Sequence, residues 1–341
     1  MRRARSRKCA PGIVEVARRA GVSPATVSRC FNTPDQVKPQ TRARVAQAAE
    51  DLGYIRNRAA GTLHNRDSGS VGLVVPTIDN AIFSELVDAF AHRLRAHDRT
   101  LLIATHDYDL DQEVAIVRSL LERRIDGVAL VGFDHSDVTL RMLRTQAVPV
   151  LSIWNFREDA ALPCVGTDNR AAGRHAAQHV IDLGHRNIAF LFPADDGNDR
   201  ARDRRCGAFD AADAAGLSPR LVECPYDISL AKARASALLT TESPTAIVAG
   251  NDVIAQGVIF ACQAQGIAVP GTLSVVGIGD FRGSAAIEPR LSTVRLPART
   301  IGRQAADAMV SLPVDVGFKE PVRRCVPFEW IERDSTAPPV A

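Results

Sequence analysis

Short apolar runs recur along most of this chain, and segments with helical spacing separate them. The runs are VGLVV (71–75), LLIAT (101–105), GVALV (127–131), VPVLSI (148–153), IAFLF (188–192), AIVAG (246–250) and LSVVGIG (273–279). The helical segments between them include 81–97, 110–123, 168–183, 202–215 and 252–266. Strands that alternate with helices form parallel sheets covered by helices on both faces, so the pattern predicts an α/β fold. Its length of roughly 270 residues predicts two lobes, with ligands bound beyond the carboxyl ends of the strands.

Charge is distributed unevenly between the first 66 residues and the rest. Residues 1–66 carry 14 Lys+Arg and 4 Asp+Glu, a balance of +10, whereas the remaining residues carry 28 and 35, a balance of −7. A basic segment on an acidic body indicates that one end binds nucleic acid. The alternative is a basic tail that only interacts with solvent.

Composition also bears on the compartment. The seven cysteines include no C-x-x-C pair, which fits a reducing compartment and argues against a disulfide framework or a zinc site. The basic start MRRARSRKCAPG is not followed by an apolar stretch, and no run approaches 18 apolar residues. We therefore expect a cytoplasmic protein with no membrane partner, no metal and no cofactor.

Three short helices are predicted in the basic segment, over 13–20, 24–32 and 40–52. The stretch VSPATVSR (22–29) suits the start of the second helix, because Ser23 can cap it and Pro24 needs no N–H partner at the first helical position.

The spacing of three small or apolar residues favours a helix-turn-helix. Ala17 supplies the close contact between the helices, Gly21 permits the turn, and Val27 anchors the second helix. Such a second helix enters the major groove of DNA with its N-terminal residues at the base edges. The alternative is a small helical bundle that binds protein, which the surplus of basic residues disfavours.

The second helix offers side chains for both kinds of DNA contact. Arg29 can donate twice to guanine, and Pro24 and Ala25 can contact a thymine methyl group. Three polar residues are expected to bind phosphates: Thr26, Ser28 and Asn32.

Longer motifs carry a resemblance to a known family. The segments IVEVARRAGVSPATVSRCFN, VKPQTRARVAQAAEDLGY and NRAAGTL resemble the headpiece of the LacI/GalR family of bacterial transcriptional regulators. VGLVVPTIDNAIFSELVDAF, DGVALVG, VGTDNRAAGRHAAQHVIDLGHRNIAFL, ARDRRCGAF, AIVAGNDVIAQGV and LSVVGIGDF resemble the family's body in the same order. The resemblance covers nearly the whole chain.

The resemblance implies an N-terminal three-helix headpiece over 11–56, a hinge helix and linker over 57–69, and a two-lobed periplasmic-binding-protein-like domain over 70–341. Asn57 opens the segment that matches the hinge helix, and Leu63 matches the residue that wedges into the minor groove and kinks the operator. The implied protein is a homodimer that binds a near-palindromic operator. The family's tetramers use an apolar heptad tail, and the ending FEWIERDSTAPPVA does not provide one.

The resemblance also implies a cleft that closes on a small metabolite. Its matching positions are Phe83, Trp154, Arg204, Asn251 and Asp280. Two positions depart from the sugar-binding relatives, since Trp154 and Gly279 stand where some of them have aspartate. Carboxylates accept from sugar hydroxyls, whereas arginine grips a carboxylate, so the departures favour a sugar acid such as an aldonate. The alternative is that Trp154 only packs in the core.

The sequence disfavours two other functions, an enzyme and a solute-binding protein. GIGDFRG (277–283) has its glycines at the wrong spacing for a dinucleotide site, and no nucleophile elbow or phosphate-binding loop is present, so an enzyme is disfavoured. A solute-binding protein of a sugar uptake system shares the two-lobed body, but it does not carry a DNA-binding head. We expect a regulator, and repression in particular, because a dimer bound at a promoter blocks polymerase without further contacts.

Overall fold

A computed structural model describes residues 10–55, 68–79, 81–312 and 322–340. The chain divides into two compact units, Met1–Ser68 and Gly69–Ala341. Most of the predicted hinge segment 57–69 lies outside the described residues, with Asn57 and Leu63, and so does the basic arm 1–8. The predicted boundaries around the hinge therefore stay predictions.

The described residues of the first unit form three α-helices, α1 (Ile13–Ala20), α2 (Pro24–Asn32) and α3 (Pro39–Leu52), with a 3-10 turn at Pro34–Gln36. Left-handed glycines end α1 and α3, with φ of 66° at Gly21 and 62° at Gly53. The helices pack on a small shared core: Val16, Ala17, Ala20, Val27, Cys30, Val45, Ala48 and Ala49.

In its described ranges, the second unit forms two six-stranded sheets, one in each of two lobes. The strands of the first sheet are β1 (Ser70–Val75), β2 (Thr100–Thr105), β3 (Gly127–Val131), β4 (Val150–Asn155), β5 (Cys164–Thr167) and β11 (Arg323–Cys325). Their order in the sheet is β11-β5-β4-β3-β1-β2, and all of them are parallel. The strands of the second sheet are β6 (Ile188–Phe192), β7 (Arg220–Glu223), β8 (Ala246–Ala249), β9 (Ser274–Gly279), β10 (Ser292–Arg295) and β12 (Glu329–Ile331). Their order in the sheet is β12-β10-β9-β8-β6-β7, and only the β10–β12 pair is antiparallel.

Helices cover both sheets, so every residue of strands such as β3, β6 and β8 is buried. The first lobe has α4 (Ala81–Arg95), α5 (Leu110–Glu122), α6 (Asp137–Thr145) and α11 (Ala298–Ser311). The second lobe has α7 (Asn169–Asp182), α8 (Asp199–Ala214), α9 (Ile228–Thr241) and α10 (Asp252–Gln265). The chain crosses between the lobes after β5, after β10 and after β11.

The last described residues are part of the second lobe. Ser335 Oγ donates to the carbonyl oxygen of Val275 at 2.6 Å and accepts from the backbone N–H of Ser292 at 2.8 Å. The backbone N–H of Ala337 donates to Ser274 Oγ at 3.0 Å. These bonds tie the C-terminal segment to β9 and β10.

A close contact between backbones fixes the position of α8. A Cβ atom at Gly173 of α7 would collide with the carbonyl oxygen of Arg204, and one at Gly207 of α8 would collide with that of Arg170. The two helices therefore approach each other with backbone against backbone at these glycines. No larger residue fits there without moving one helix.

Replacing Gly207 with alanine is expected to lower the free energy of unfolding by about 1–3 kcal/mol, because the added methyl group forces α7 and α8 apart. Urea unfolding of the full chain measures the loss. Gly271→Ala is the matched control: the nearest atom to its new methyl group lies at 3.4 Å, an ordinary contact. A Gly207→Ala protein as stable as the wild type would show that the two backbones need not touch.

Candidate functional site

The tip of α2 is capped and exposed. Ser23 Oγ accepts from the backbone N–H of Thr26 at 3.2 Å, and Pro24 occupies the first helical position. Pro24, Ala25 and Arg29 are exposed. The helix therefore presents a small apolar tip, with a long cationic side chain one turn further on.

The polar side chains of α2 make local hydrogen bonds. The hydroxyl groups of Ser23 and Thr26 lie 2.9 Å apart, and Asn32 Nδ2 donates to Ser28 Oγ at 3.0 Å. Thr26 and Ser28 are half-buried, whereas Asn32 is exposed. The hydroxyl and amide groups thus lie at the helix surface in fixed positions.

The contact between α1 and α2 has the form of a helix-turn-helix. Ala17 and Val27 are buried between the helices, and Gly21 turns the chain in the left-handed conformation. The first unit also has exposed basic residues on α1, at the start of α3 and along α3: Arg18, Arg19, Lys38, Arg42 and Arg44. Such a basic surface attracts the phosphate backbone of DNA.

The second unit has a cleft between its lobes, at the carboxyl ends of the strands. The first lobe lines it with Ile82, Phe83, Tyr108 and Trp154. The second lobe and one crossover line it with Asn198, Arg200, Arg204, Tyr226, Asn251, Ile278, Phe281 and Leu296. Four of the five predicted effector residues are therefore brought together: Phe83, Trp154, Arg204 and Asn251. The free volume is about 20 Å³, which holds about one water, so a sugar-sized ligand requires the lobes to separate.

Two aromatic side chains form the wall of the first lobe. The rings of Phe83 and Trp154 have centroids 5.6 Å apart and an interplanar angle of 54°. Trp154 lies within β4 rather than after the strand as the sequence predicted, and its φ of 80° is unusual for a bulky residue. It belongs to the hydrophobic core and lines the cleft as well.

Arg204 is a buried cation whose hydrogen bonds go to neutral oxygens. Its side chain donates to Asn169 Oδ1 at 2.8 Å and to the Tyr226 hydroxyl at 2.9 Å. Its Nε is buried and has no partner among the described residues. The residue is only 5% exposed, so little solvent compensates its charge.

A second arginine, Arg200, lies one turn earlier on α8. Its Nη1 donates to Asp199 Oδ1 at 2.8 Å and to the carbonyl oxygen of Val131 at 3.1 Å. Its Nη2 is buried and unpartnered within the described part of the chain. Arg200 and Arg204 are four residues apart, so both lie on the same face of α8.

The remaining two predicted effector residues differ in position. Asn251 caps α10, where its Oδ1 accepts from the backbone N–H of Ile254 at 3.0 Å, and its Nδ2 is buried with no partner in the described ranges. Asp280 lies outside the cleft, in a neighbouring pocket of about 380 Å³. It accepts there from Arg295 at 2.7 Å and from Arg333 at 2.6 Å. The structure does not bring Asp280 to the other four residues.

The cleft lining contains no carboxylate among the described residues. Trp154 occupies one of the two positions where the resemblance implies an aspartate in some sugar-binding relatives. At the other, Gly279 has a φ of 143°, and the ring of Phe281 fills the space that a side chain would need. The polar groups of the lining are arginines, asparagines and tyrosines.

Several lining residues were not predicted from the sequence, although some of them left a signal there. Arg200 could have been found from its four-residue spacing to Arg204. Tyr108 follows β2 at the ligand-binding edge of the sheet, and burial raises the pKa of its phenol to about 12, so the phenol is neutral. Asn198 and Tyr226 have no such pattern, and neither do Phe281 and Leu296.

Two further observations concern other kinds of site. No helix among the described residues is long and apolar enough to cross a membrane. In the same ranges, no group of three or more His, Cys, Asp or Glu side chains is placed to hold a metal ion.

Comparison with known proteins identifies both units. Residues 12–57 match the family of bacterial regulatory proteins of the lacI type, and residues 68–325 match "Periplasmic binding proteins and sugar binding domain of LacI family". The HTH-type transcriptional regulator GntR of Pseudomonas aeruginosa is 30% identical over 334 residues, which cover 96% of each chain.

Solved structures show the same fold. A LacI-family transcriptional regulator from Silicibacter pomeroyi superposes with a TM-score of 0.86 at 26% identity, over 95% of this chain and 99% of that one. The transcriptional regulator CelR, solved with cellobiose, superposes with a TM-score of 0.70 at 26% identity, over 95% and 99%.

These matches give no support to a solute-binding protein of an uptake system, because the head matches a DNA-binding family and the relatives are regulators. The resemblance to LacI/GalR regulators is confirmed over both units. The chain belongs to the LacI family of bacterial regulatory proteins and is a DNA-binding transcriptional regulator with a sugar-binding type of effector domain.

Proposed function

We propose that this regulator is a repressor, that it binds a near-palindromic operator as a homodimer in the bacterial cytoplasm, and that a sugar acid such as an aldonate controls its operator affinity. It acts by binding and catalyses no reaction. The observation that carries the choice of effector is the buried guanidinium of Arg204, whose hydrogen bonds go to neutral oxygens.

The exposed tip of α2 supports the assignment of base contacts. Arg29 can donate twice to guanine O6 and N7, and Pro24 and Ala25 can contact a thymine methyl group. Thr26, Ser28 and Asn32 lie where they can bind phosphates and hold the helix in register. Asn57 and Leu63 are assigned to the hinge and the minor groove on the family resemblance alone, since both lie outside the described residues.

The effector class follows from charge. A buried cation without a counter-ion is costly, and an anionic ligand removes that cost. A carboxylate suits the site because it can accept two hydrogen bonds from one guanidinium. Phe83, Trp154 and Asn251 complete the assigned effector site, with the aromatic rings positioned to stack on a sugar face. Asp280 is better assigned to holding Arg295 and Arg333 beside the cleft.

A neutral sugar is the alternative ligand, and the CelR complex with cellobiose shows that relatives of this fold bind one. Sugar hydroxyl groups donate hydrogen bonds, and carboxylates are their best acceptors. Because no described carboxylate lines this cleft, the composition of the site favours an acid.

Arg29→Ala is expected to weaken binding to the preferred operator by about 1–3 kcal/mol and to relax specificity at one base pair per half-site. The operator can be selected from random DNA, and fluorescence anisotropy at fixed salt then measures affinity for it and for single-base variants. Arg44→Ala, an exposed arginine of α3, is the control for a general loss of charge. An equal loss on all DNA sequences would show that Arg29 contacts only phosphates.

Sugar acids are expected to raise the thermal stability of the full chain, by about 2.7 kcal/mol at a ligand concentration one hundred times Kd. Aldonates, uronates, neutral sugars and purines form the panel. The shift should disappear in Arg204→Ala and persist in Arg205→Ala, whose side chain instead pairs with Asp195. A shift produced only by a neutral sugar or a purine would overturn the assignment of an anionic effector.

A further inference from the structure

We propose that the cleft selects a ligand with one negative charge, and that Asp199 sets this limit by neutralising Arg200. The inference rests on the proposed anionic effector and specifies its charge. It predicts discrimination between a monocarboxylate and a ligand that carries a second acidic group.

Asp199 is fully buried at the N-terminus of α8, and hydrogen bonds occupy both of its oxygens. Oδ1 accepts from Arg200 Nη1 at 2.8 Å. Oδ2 accepts from the backbone N–H of Phe133 at 2.9 Å and from Asn155 Nδ2 at 2.8 Å. The carboxylate is therefore held in place by both lobes.

This carboxylate is ionised at neutral pH. Burial alone would raise its pKa, but the charge of Arg200 and the hydrogen bonds from Asn155 and Phe133 outweigh burial and lower the pKa below its usual value. Asp199 and Arg200 consequently form a buried pair with no net charge.

Two further charged side chains of α8, Asp203 and Arg202, are also paired. Asp203 bonds to Arg157 at 3.2 Å, and Arg202 bonds to Asp134 at 2.7 Å. Neither of these pairs lines the cleft. Arg204 is thus the lining residue whose positive charge has no counter-ion among the described residues, and the cleft carries a net charge of +1.

The buried side-chain atoms of the lining that have no hydrogen-bond partner among the described residues are all donors. They are Arg200 Nη2, Arg204 Nε and Asn251 Nδ2. One carboxylate with neighbouring hydroxyl oxygens supplies acceptors for such donors and balances the charge of Arg204. A second acidic group would be buried without a counter-ion, which is unfavourable. An aldonate or a uronate fits this description, whereas a dicarboxylate or a phosphate ester does not.

Isothermal titration of the full chain at pH 7.5 and fixed salt tests the inference. The probes are gluconate with one carboxylate, glucarate with two, 6-phosphogluconate with a carboxylate and a phosphate, and neutral glucose. We expect wild-type protein to bind gluconate at least tenfold more tightly than either of the two probes that carry a second acidic group. Binding of glucarate or 6-phosphogluconate as tight as that of gluconate would overturn the single-charge limit while leaving the anionic effector in place.

A different pattern of binding is expected if the effector is not a sugar acid. Glucose binding more tightly than every anion, or no binding by any of the four probes, would overturn the proposed sugar acid and this inference together.

Asp199→Asn tests the role of the pair, because it frees the charge of Arg200. The ratio of gluconate affinity to glucarate affinity is expected to fall at least tenfold. Asp203→Asn on the same helix is the control, and it should leave the ratio unchanged. An unchanged ratio in Asp199→Asn would overturn the assignment of Asp199.

Arg200→Gln provides a second test that does not depend on the folding of Asp199→Asn. It leaves Asp199 charged and the cleft with no net charge, so the preference for gluconate over glucose should fall at least tenfold. An undiminished preference would show that the pair does not set the charge of the site.

Discussion

The contact between the backbones of α7 and α8 determines where the two arginines of the cleft lie. Gly173 and Gly207 allow the helices to approach until the carbonyl oxygens of Arg204 and Arg170 occupy the space of the absent side chains. This approach places Asn169 of α7 within 2.8 Å of Arg204 of α8. Since both arginines of the cleft lie on α8, their position depends on this contact between α7 and α8.

From that helix, polar contacts run into the first lobe. Arg204 bonds to Asn169, Asn169 Nδ2 donates to Asn155 Oδ1 at 3.0 Å, and Asn155 bonds to Asp199. Arg200 reaches the carbonyl oxygen of Val131 at the end of β3. A ligand that contacts Arg204 therefore acts on side chains that also join the lobes. Under the proposed function, effector binding and lobe orientation would be coupled, because the same groups would serve both.

Sequence patterns predicted the parts of this protein whose residues repeat with a clear period. The apolar runs corresponded to β1, β2, β3, β4, β6, β8 and β9, and the helices of the first unit were predicted to within one residue. The short strands β11 and β12 contain three residues each, too few to show a period, and β7 is largely exposed. In the cleft, Phe281 was not predicted, because the turn at Gly279 is what brings its ring to the lining. The ion pairs of Asp280 with Arg295 and Arg333 were not predicted either, because they join residues that are distant in the sequence. Spacing along the chain contains no information on such contacts.

Because Trp154 lines the cleft, its intrinsic fluorescence can report on that site. The chain has two tryptophans, and the other, Trp330, lies in β12 with its ring 4.1 Å from that of His179. Trp154 is buried at the cleft against Phe83, so entry of a ligand changes the polarity and the contacts around one of only two indole emitters. With Trp330 replaced by phenylalanine, the emission spectrum would report on a single site between the lobes, without an attached dye.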